Sequence, residues 1–321
     1  GPARRLTTGV SAHAVRPLPG GRTLAVATLE QSSNIWEVEL PERGTVSIRQ
    51  ARPVTEGNQV IEDLDVLPLA GWLTFDSNQE GTQDIYLQNL SSDRAMQITR
   101  DSTDEFGPVF SPNGKEIAYY AVADGVRHIY VMRTNGRDVR QVTRDSLDDN
   151  QPRWAPDGEG LVFYRRDARG RDRIHTIRRN PDSTWADPVP VAEESGTAAS
   201  WSPDGRAIAY YLPTTGEIKL QPLDGSPARV LAGPSLTGGA PLKRPQWIPF
   251  EPALLAREER PGGQGALWLI PVDGSAPREV VRFDDPSKPV LREDFATDGR
   301  RVFFTITELE SGFLLIDVGR N

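Results

Sequence analysis

Short runs of aliphatic, β-branched and aromatic residues alternate along this chain with clusters of Gly, Pro, Asp and Asn. Apolar runs this short, bounded by turn residues, read as β-strands. Their order repeats seven times. A turn at Pro19, Pro68, Pro112, Pro156, Pro203, Pro249 and Thr297 leads each time into an apolar strand, such as Ile117–Tyr120 or Ile208–Tyr211. An apolar pair such as Ile129-Tyr130 follows 15 to 18 residues after the turn, and a short strand of the Val142-Thr143 type ends the unit. The turns are 44 to 49 residues apart, and repeats of that length made of short strands predict a β-propeller with one blade per unit.

Each unit divides into four strands. The first runs into the turn, as in Pro108-Val109-Phe110, Pro152-Arg153-Trp154 and Pro245-Gln246-Trp247. The turns read Ser-Pro-Asn-Gly at 111–114, Ala-Pro-Asp-Gly at 155–158 and Ser-Pro-Asp-Gly at 202–205. Pro presets φ, Asp or Asn bonds its own backbone, and Gly accepts positive φ, so these acidic residues belong to turn chemistry and not to catalysis. The phase of the repeat is informative. A fourth-strand segment, Leu6-Thr7, precedes the first turn, whereas the seventh unit stops at Leu314–Asp317 without one. The predicted fold is therefore all-β: a seven-bladed propeller of four antiparallel strands per blade, its last blade closed by residues 3–8. A six-bladed ring, with unit two or unit six misread, is the alternative. Either way residues 1–321 form one domain, with Gly1-Pro2 read as the remnant of a cleaved expression tag.

Composition narrows the function. A net charge of −8 argues against nucleic acid, which needs a clustered basic surface. No run of about eighteen apolar residues is present, so no membrane segment is expected. With no Cys, neither disulfides nor thiol catalysis are available.

Loops joining each fourth strand to the next first strand converge on one mouth of a propeller channel. Here they carry Glu62-Asp63, Asp101 to Glu105, Asp145, Asp148-Asp149, Glu193-Glu194 and Glu293-Asp294. The loops before Pro249 and Thr297 are the longest and add basic groups, Lys243-Arg244 and Arg292. The candidate binding residues are Glu62, Asp63, Asp104, Glu105, Asp148, Asp149, Arg244 and Arg292. Gathered carboxylates focus negative potential and attract a cation or a basic partner surface. They could ligate Ca²⁺, although no Asp-x-Asp-x-Asp-Gly loop occurs, and no other cofactor is expected. His13, His128 and His175 have no metal-ligand spacing, and no Gly-x-Ser-x-Gly elbow, P-loop or dinucleotide fingerprint is present. The expectation is a non-catalytic, monomeric module that binds a protein partner or small ligand. A polysaccharide lyase or hydrolase acting at the channel mouth is the alternative.

Residues 107–143 carry the sharpest pattern: Gly107 to Tyr120 with Ser-Pro-Asn-Gly inside, then Arg127-His128-Ile129-Tyr130-Val131-Met132, then Gln141-Val142-Thr143. This resembles the TolB-type, WD40-like (PD40) repeat, and the resemblance extends over essentially the whole chain. It implies a propeller that binds a protein partner with one face, in a periplasmic or extracytoplasmic setting. The stretch Val281–Pro286 with Glu293–Gly299 is most similar to the end of propellers attached to bacterial membrane serine/threonine kinases. The resemblance thus implies a sensor domain.

Overall fold

The computed structural model describes residues 12–19, 23–92, 94–292 and 294–317. Five units fold as expected, each into a four-stranded antiparallel sheet whose strands lie side by side in chain order. They begin with inner strands Leu64–Leu67, Glu105–Phe110, Asp148–Trp154, Thr197–Trp201 and Leu242–Trp247, and are called blades one to five here. The second strands are the aromatic-rich runs: Trp72–Ser77, Glu116–Ala123, Gly160–Arg166, Ala207–Leu212 and Ala253–Glu258. Such residues fit a pleated surface packed on both faces.

Units one and seven behave differently. Five strands are labelled here: β1 (Ala12–Pro17), β2 (Thr23–Glu39), β3 (Arg52–Pro53), β4 (Phe295–Thr297) and β5 (Arg301–Asp317). β2 and β5 are 17 residues long and pair antiparallel over their whole length, from Thr23–Asp317 to Glu39–Arg301. Their inner halves, flanked by β4 and β3, make the sixth blade. The outer halves continue as a ribbon joined by β1.

The described residues thus form six sheets, and the two terminal units share one blade of the ring. Units two and six, suspected of being misread, each form a sheet of their own. The physical cause is a missing turn. In blades one to five the second and third strands are joined through a glycine at positive φ: Gly81, Gly125, Gly170, Gly216 or Gly262. In unit one the corresponding residues are Gln31-Ser32-Ser33, and the strand runs straight on. Residues 3–8, expected to close the last blade, lie outside the described residues; among those described, β2 and β3 supply the closure.

The core follows the ring. Six buried clusters each join two neighbouring blades, running from Ile85, Phe110 and Tyr119 between blades one and two to Ile35, Phe75 and Phe303 between blades six and one. A short strand, Val46–Ser47, pairs parallel with Val281-Arg282 at the outer edge of blade five and fastens the N-terminal half of the chain to it. Arg278 reinforces this seam by donating to the carbonyls of Pro41, Glu42 and Gly44.

Candidate binding site at the channel mouth

The mouth is shaped by a repeated backbone device. In blades two to five the inner strand slips register near its start, opposite the second strand. One residue at each slip is left-handed: Gly107, Gln151, Ala198 and Arg244, with φ between 50° and 61°. A bulge of this kind re-aims the side chains beside it. Three of the four carry a Cβ in a conformation that costs roughly 1–3 kcal/mol, so the surrounding packing holds them there. At Gly107 a Cβ would lie 2.8 Å from the Tyr120 ring. Gly107→Ala is expected to lower stability by about 1–3 kcal/mol in urea unfolding, while Gln151→Gly is expected to be neutral or stabilising.

Asp76 ties the first two blades together at this level. Its Oδ1 accepts from the backbone N–H of Glu62 (2.8 Å) and Asp63 (3.1 Å) and from Gln83 Nε2 (3.0 Å), and Oδ2 accepts from Gly107 N–H (3.2 Å). Burial and the neighbouring Asp63 charge nonetheless push the Asp76 carboxyl up to about 8. Across the axis, Arg244 reaches from blade five to Asp294 at the start of blade six and to Asp63 at blade one (Nη2–Oδ1 3.5 Å). Asp294 is 6% exposed and its Oδ1 has no hydrogen-bond partner. Burial, with the Asp63 charge adding to it, raises the Asp294 carboxyl well above the usual range despite Arg244. Above this group, Arg292 and Glu62 form a half-exposed ion pair at 2.7 Å. Tyr120 faces the same group, and its hydroxyl is pushed up by burial first and then by Asp63, Asp76 and Asp294.

Of the eight predicted binding residues, Glu62, Asp63, Arg244 and Arg292 are brought together. The other four are bound up in the ring. Asp104 accepts from the Gln83 backbone N–H and Asp148 from that of Arg127. Asp149 is fully buried in a two-pronged pair with Arg165, at 2.7 and 2.8 Å. Glu105 is 2% exposed with Oε2 unpartnered, and burial pushes its carboxyl up to about 8. Asp76 and Asp294 complete the group in their place. A signal for Asp76 did exist: eight residues after the turn, units three to five carry Tyr120, Tyr164 and Tyr211, and unit two alone carries a carboxylate.

Among the described residues no group of three or more His, Asp or Glu side chains is placed to hold a metal ion. His128 and His175 lie on third strands, His175 stacked on Phe163 at 6.0 Å. The opposite, turn-side end of the channel is ringed by aromatic side chains. A cavity of about 210 Å³ there is lined by Trp154, Trp201, Trp247 and Pro112, with Asp65 and Arg153 inside it. Burial raises the Asp65 carboxyl to about 6. The turn-side end thus sets one acid and one arginine among tryptophans, whereas the mouth gathers several carboxylates.

The profile of the TolB β-propeller domain (PD40) matches residues 49–290. The chain belongs to the TolB β-propeller family. Solved structures that share its fold include the following three. A TolB-like protein from Agrobacterium tumefaciens is 16% identical with a TM-score of 0.68, over 87% of this chain and 99% of that one. TolB from Acinetobacter baumannii is 20% identical with a TM-score of 0.57, over 87% of this chain and 66% of that one. A chain of the nidogen/laminin complex is 13% identical with a TM-score of 0.60, over 85% of this chain and 98% of that one. No curated protein sequence matches. At these identities the likeness speaks for the fold alone. No helix among the described residues is long and apolar enough to cross a membrane.

Proposed function

We propose that this TolB-type propeller is a non-catalytic binding module, extracytoplasmic in setting, that takes a cationic group of a protein partner at the channel mouth. The observation that carries this is the group Asp63, Asp76 and Asp294 gathered around Arg244, with an unpartnered buried oxygen on Asp294. Buried Asp76 and Asp294 keep their protons above the ordinary carboxylate range and release them when a Lys or Arg side chain enters, because low dielectric strengthens the pair. The Arg292–Glu62 pair at the rim opens to admit it. A role as the sensor domain of a membrane kinase fits the resemblance at residues 281–299 and the same face.

The test uses immobilised protein and a fluorescent library of extended peptides varied at one position. Lys and Arg are expected to be enriched by the native protein and to lose that enrichment at least tenfold in Asp63→Asn/Asp294→Asn. Equal binding of neutral and cationic peptides, or enrichment that survives the double variant, overturns the reading.

A further inference from the structure

Units one and seven each supply a second-strand and a third-strand segment, as the other five do, yet neither folds them into a hairpin. In blade two, Tyr120 pairs with Ile129 across such a hairpin. Counted from the turn for the second strand, and matched by the apolar pair for the third, the same positions are Ala27 and Ile35 in unit one, and Thr305 and Leu314 in unit seven. The structure pairs these segments crosswise: Ile35 with Thr305, and Ala27 with Phe313, next to Leu314. The outer ribbon, β1 beside Thr23–Ser32 beside Glu308–Asp317, therefore has the strand order of a blade: first, second, third. It stands off the ring, with Val15 53%, Leu18 38% and Leu315 69% exposed.

We propose that β2 and β5 are a pair of exchanged hairpins, and that the chain has a second closed form in which each folds back on itself and the ribbon enters the ring as a seventh blade. The same strand segments pair in both forms; only partners change. The folded-back form gains burial of the ribbon's apolar side chains between blades. Against that stand two tight turns, one of them at Gln31-Ser32-Ser33 without a glycine.

The exchange reaches the mouth. In the present form the inner strand of blade six touches that of blade one directly. A seventh blade would insert β1 between them. The Glu62–Arg292 pair at 2.7 Å and the Asp63–Arg244 contact at 3.5 Å both cross that seam, so they belong to the six-bladed form alone. Opening the seam would carry Asp63 away from Asp294 and dissolve the carboxylate group. Ring size would thus switch the site on and off.

The chain has no cysteine, so engineered pairs are clean reporters. Ala25 and Glu37 sit twelve residues apart on β2, about 40 Å along a straight strand. Folded back in the register of blade two, they become cross-strand neighbours about 5 Å apart. Ala25 and Leu315 are neighbours in the present form. Full-length protein carrying Ala25→Cys/Glu37→Cys or Ala25→Cys/Leu315→Cys is oxidised when dilute and run on non-reducing gels and by gel filtration. Spin labels on the first pair give the distance directly.

Both pairs are expected to close within one chain. Replacing Gln31-Ser32 by Asn-Gly, a favoured hairpin turn, is expected to raise the Ala25→Cys/Glu37→Cys product several-fold. Closure of the Leu315 pair alone, with labels at positions 25 and 37 staying near 40 Å in both backgrounds, overturns the proposal. So does closure of the Glu37 pair only as a disulfide-linked dimer, which would place the exchange between two copies.

Discussion

Replacing Arg244 with alanine is expected to cost about 3–5 kcal/mol of stability at neutral pH, the largest loss of any single substitution at the mouth. Arg244 is only 12% exposed in its side chain, and the acidic side chains it meets, Asp63 and Asp294, are 12% and 7% exposed. Removing the cation leaves the desolvated side chains of Asp63 and Asp294 facing each other without the charge that pairs them. Truncating one partner of a buried pair is costly for that reason, even where the intact pair contributes little net. Urea unfolding measures the loss. Two companions identify its cause: Arg244→Ala/Asp294→Asn is expected to recover most of it, and acidification is expected to shrink it as Asp294 takes up its proton. A loss unchanged by either would mean that Arg244 acts through packing and not through charge.

Glu105→Gln should remove a pH dependence that the native protein carries above the ordinary carboxylate range. The Glu105 carboxyl rises from 4.5 to about 8, first because it is buried and then because of the charges of Asp101 and Asp84. The folded state therefore keeps a proton that the unfolded chain has released. Below about pH 4.5 both states hold it and there is no effect. Between 4.5 and 8 stability falls as pH rises, and above 8 the folded state bears the full cost of a buried charge, on the order of 4–5 kcal/mol. The glutamine variant is expected to match the native protein near pH 4.5 and to exceed it by a growing margin up to pH 9. Unfolding midpoints across that range decide it. Parallel curves for the two proteins would show that Glu105 is ionised throughout.

Glu105 also shows how repeats can mislead. Its counterpart one blade on, Asp149, is opposite Arg165 and forms a buried pair; Glu105 is opposite Ala121 and has none. Both residues fall in an acidic loop, and in sequence both look like binding residues of the mouth. What separates them is a cross-strand neighbour sixteen residues away, visible once the register is known.

The strands, the turns and the propeller class were legible in the sequence, because they are set by local chemistry. Short apolar runs, Pro-Asp-Gly turns and a 44–49-residue period act within one unit, whatever surrounds it. The convergence of Glu62, Asp63, Arg244 and Arg292 on one mouth was legible too, since every loop from a fourth strand to a first must emerge at the same end of the ring. Tertiary structure alone decided the rest. Whether Asp104 and Asp148 face solvent or accept from a neighbouring backbone N–H depends on how blades abut. Asp76 joins the site because a bulge in the next blade turns the Gly107 N–H toward it. The number of blades is decided last of all. Seven units are written into the chain and the described residues form six sheets, because in units one and seven the second and third strand segments run on without a turn and pair with each other. Strand propensity is a property of a segment; its partner is a property of the closed ring.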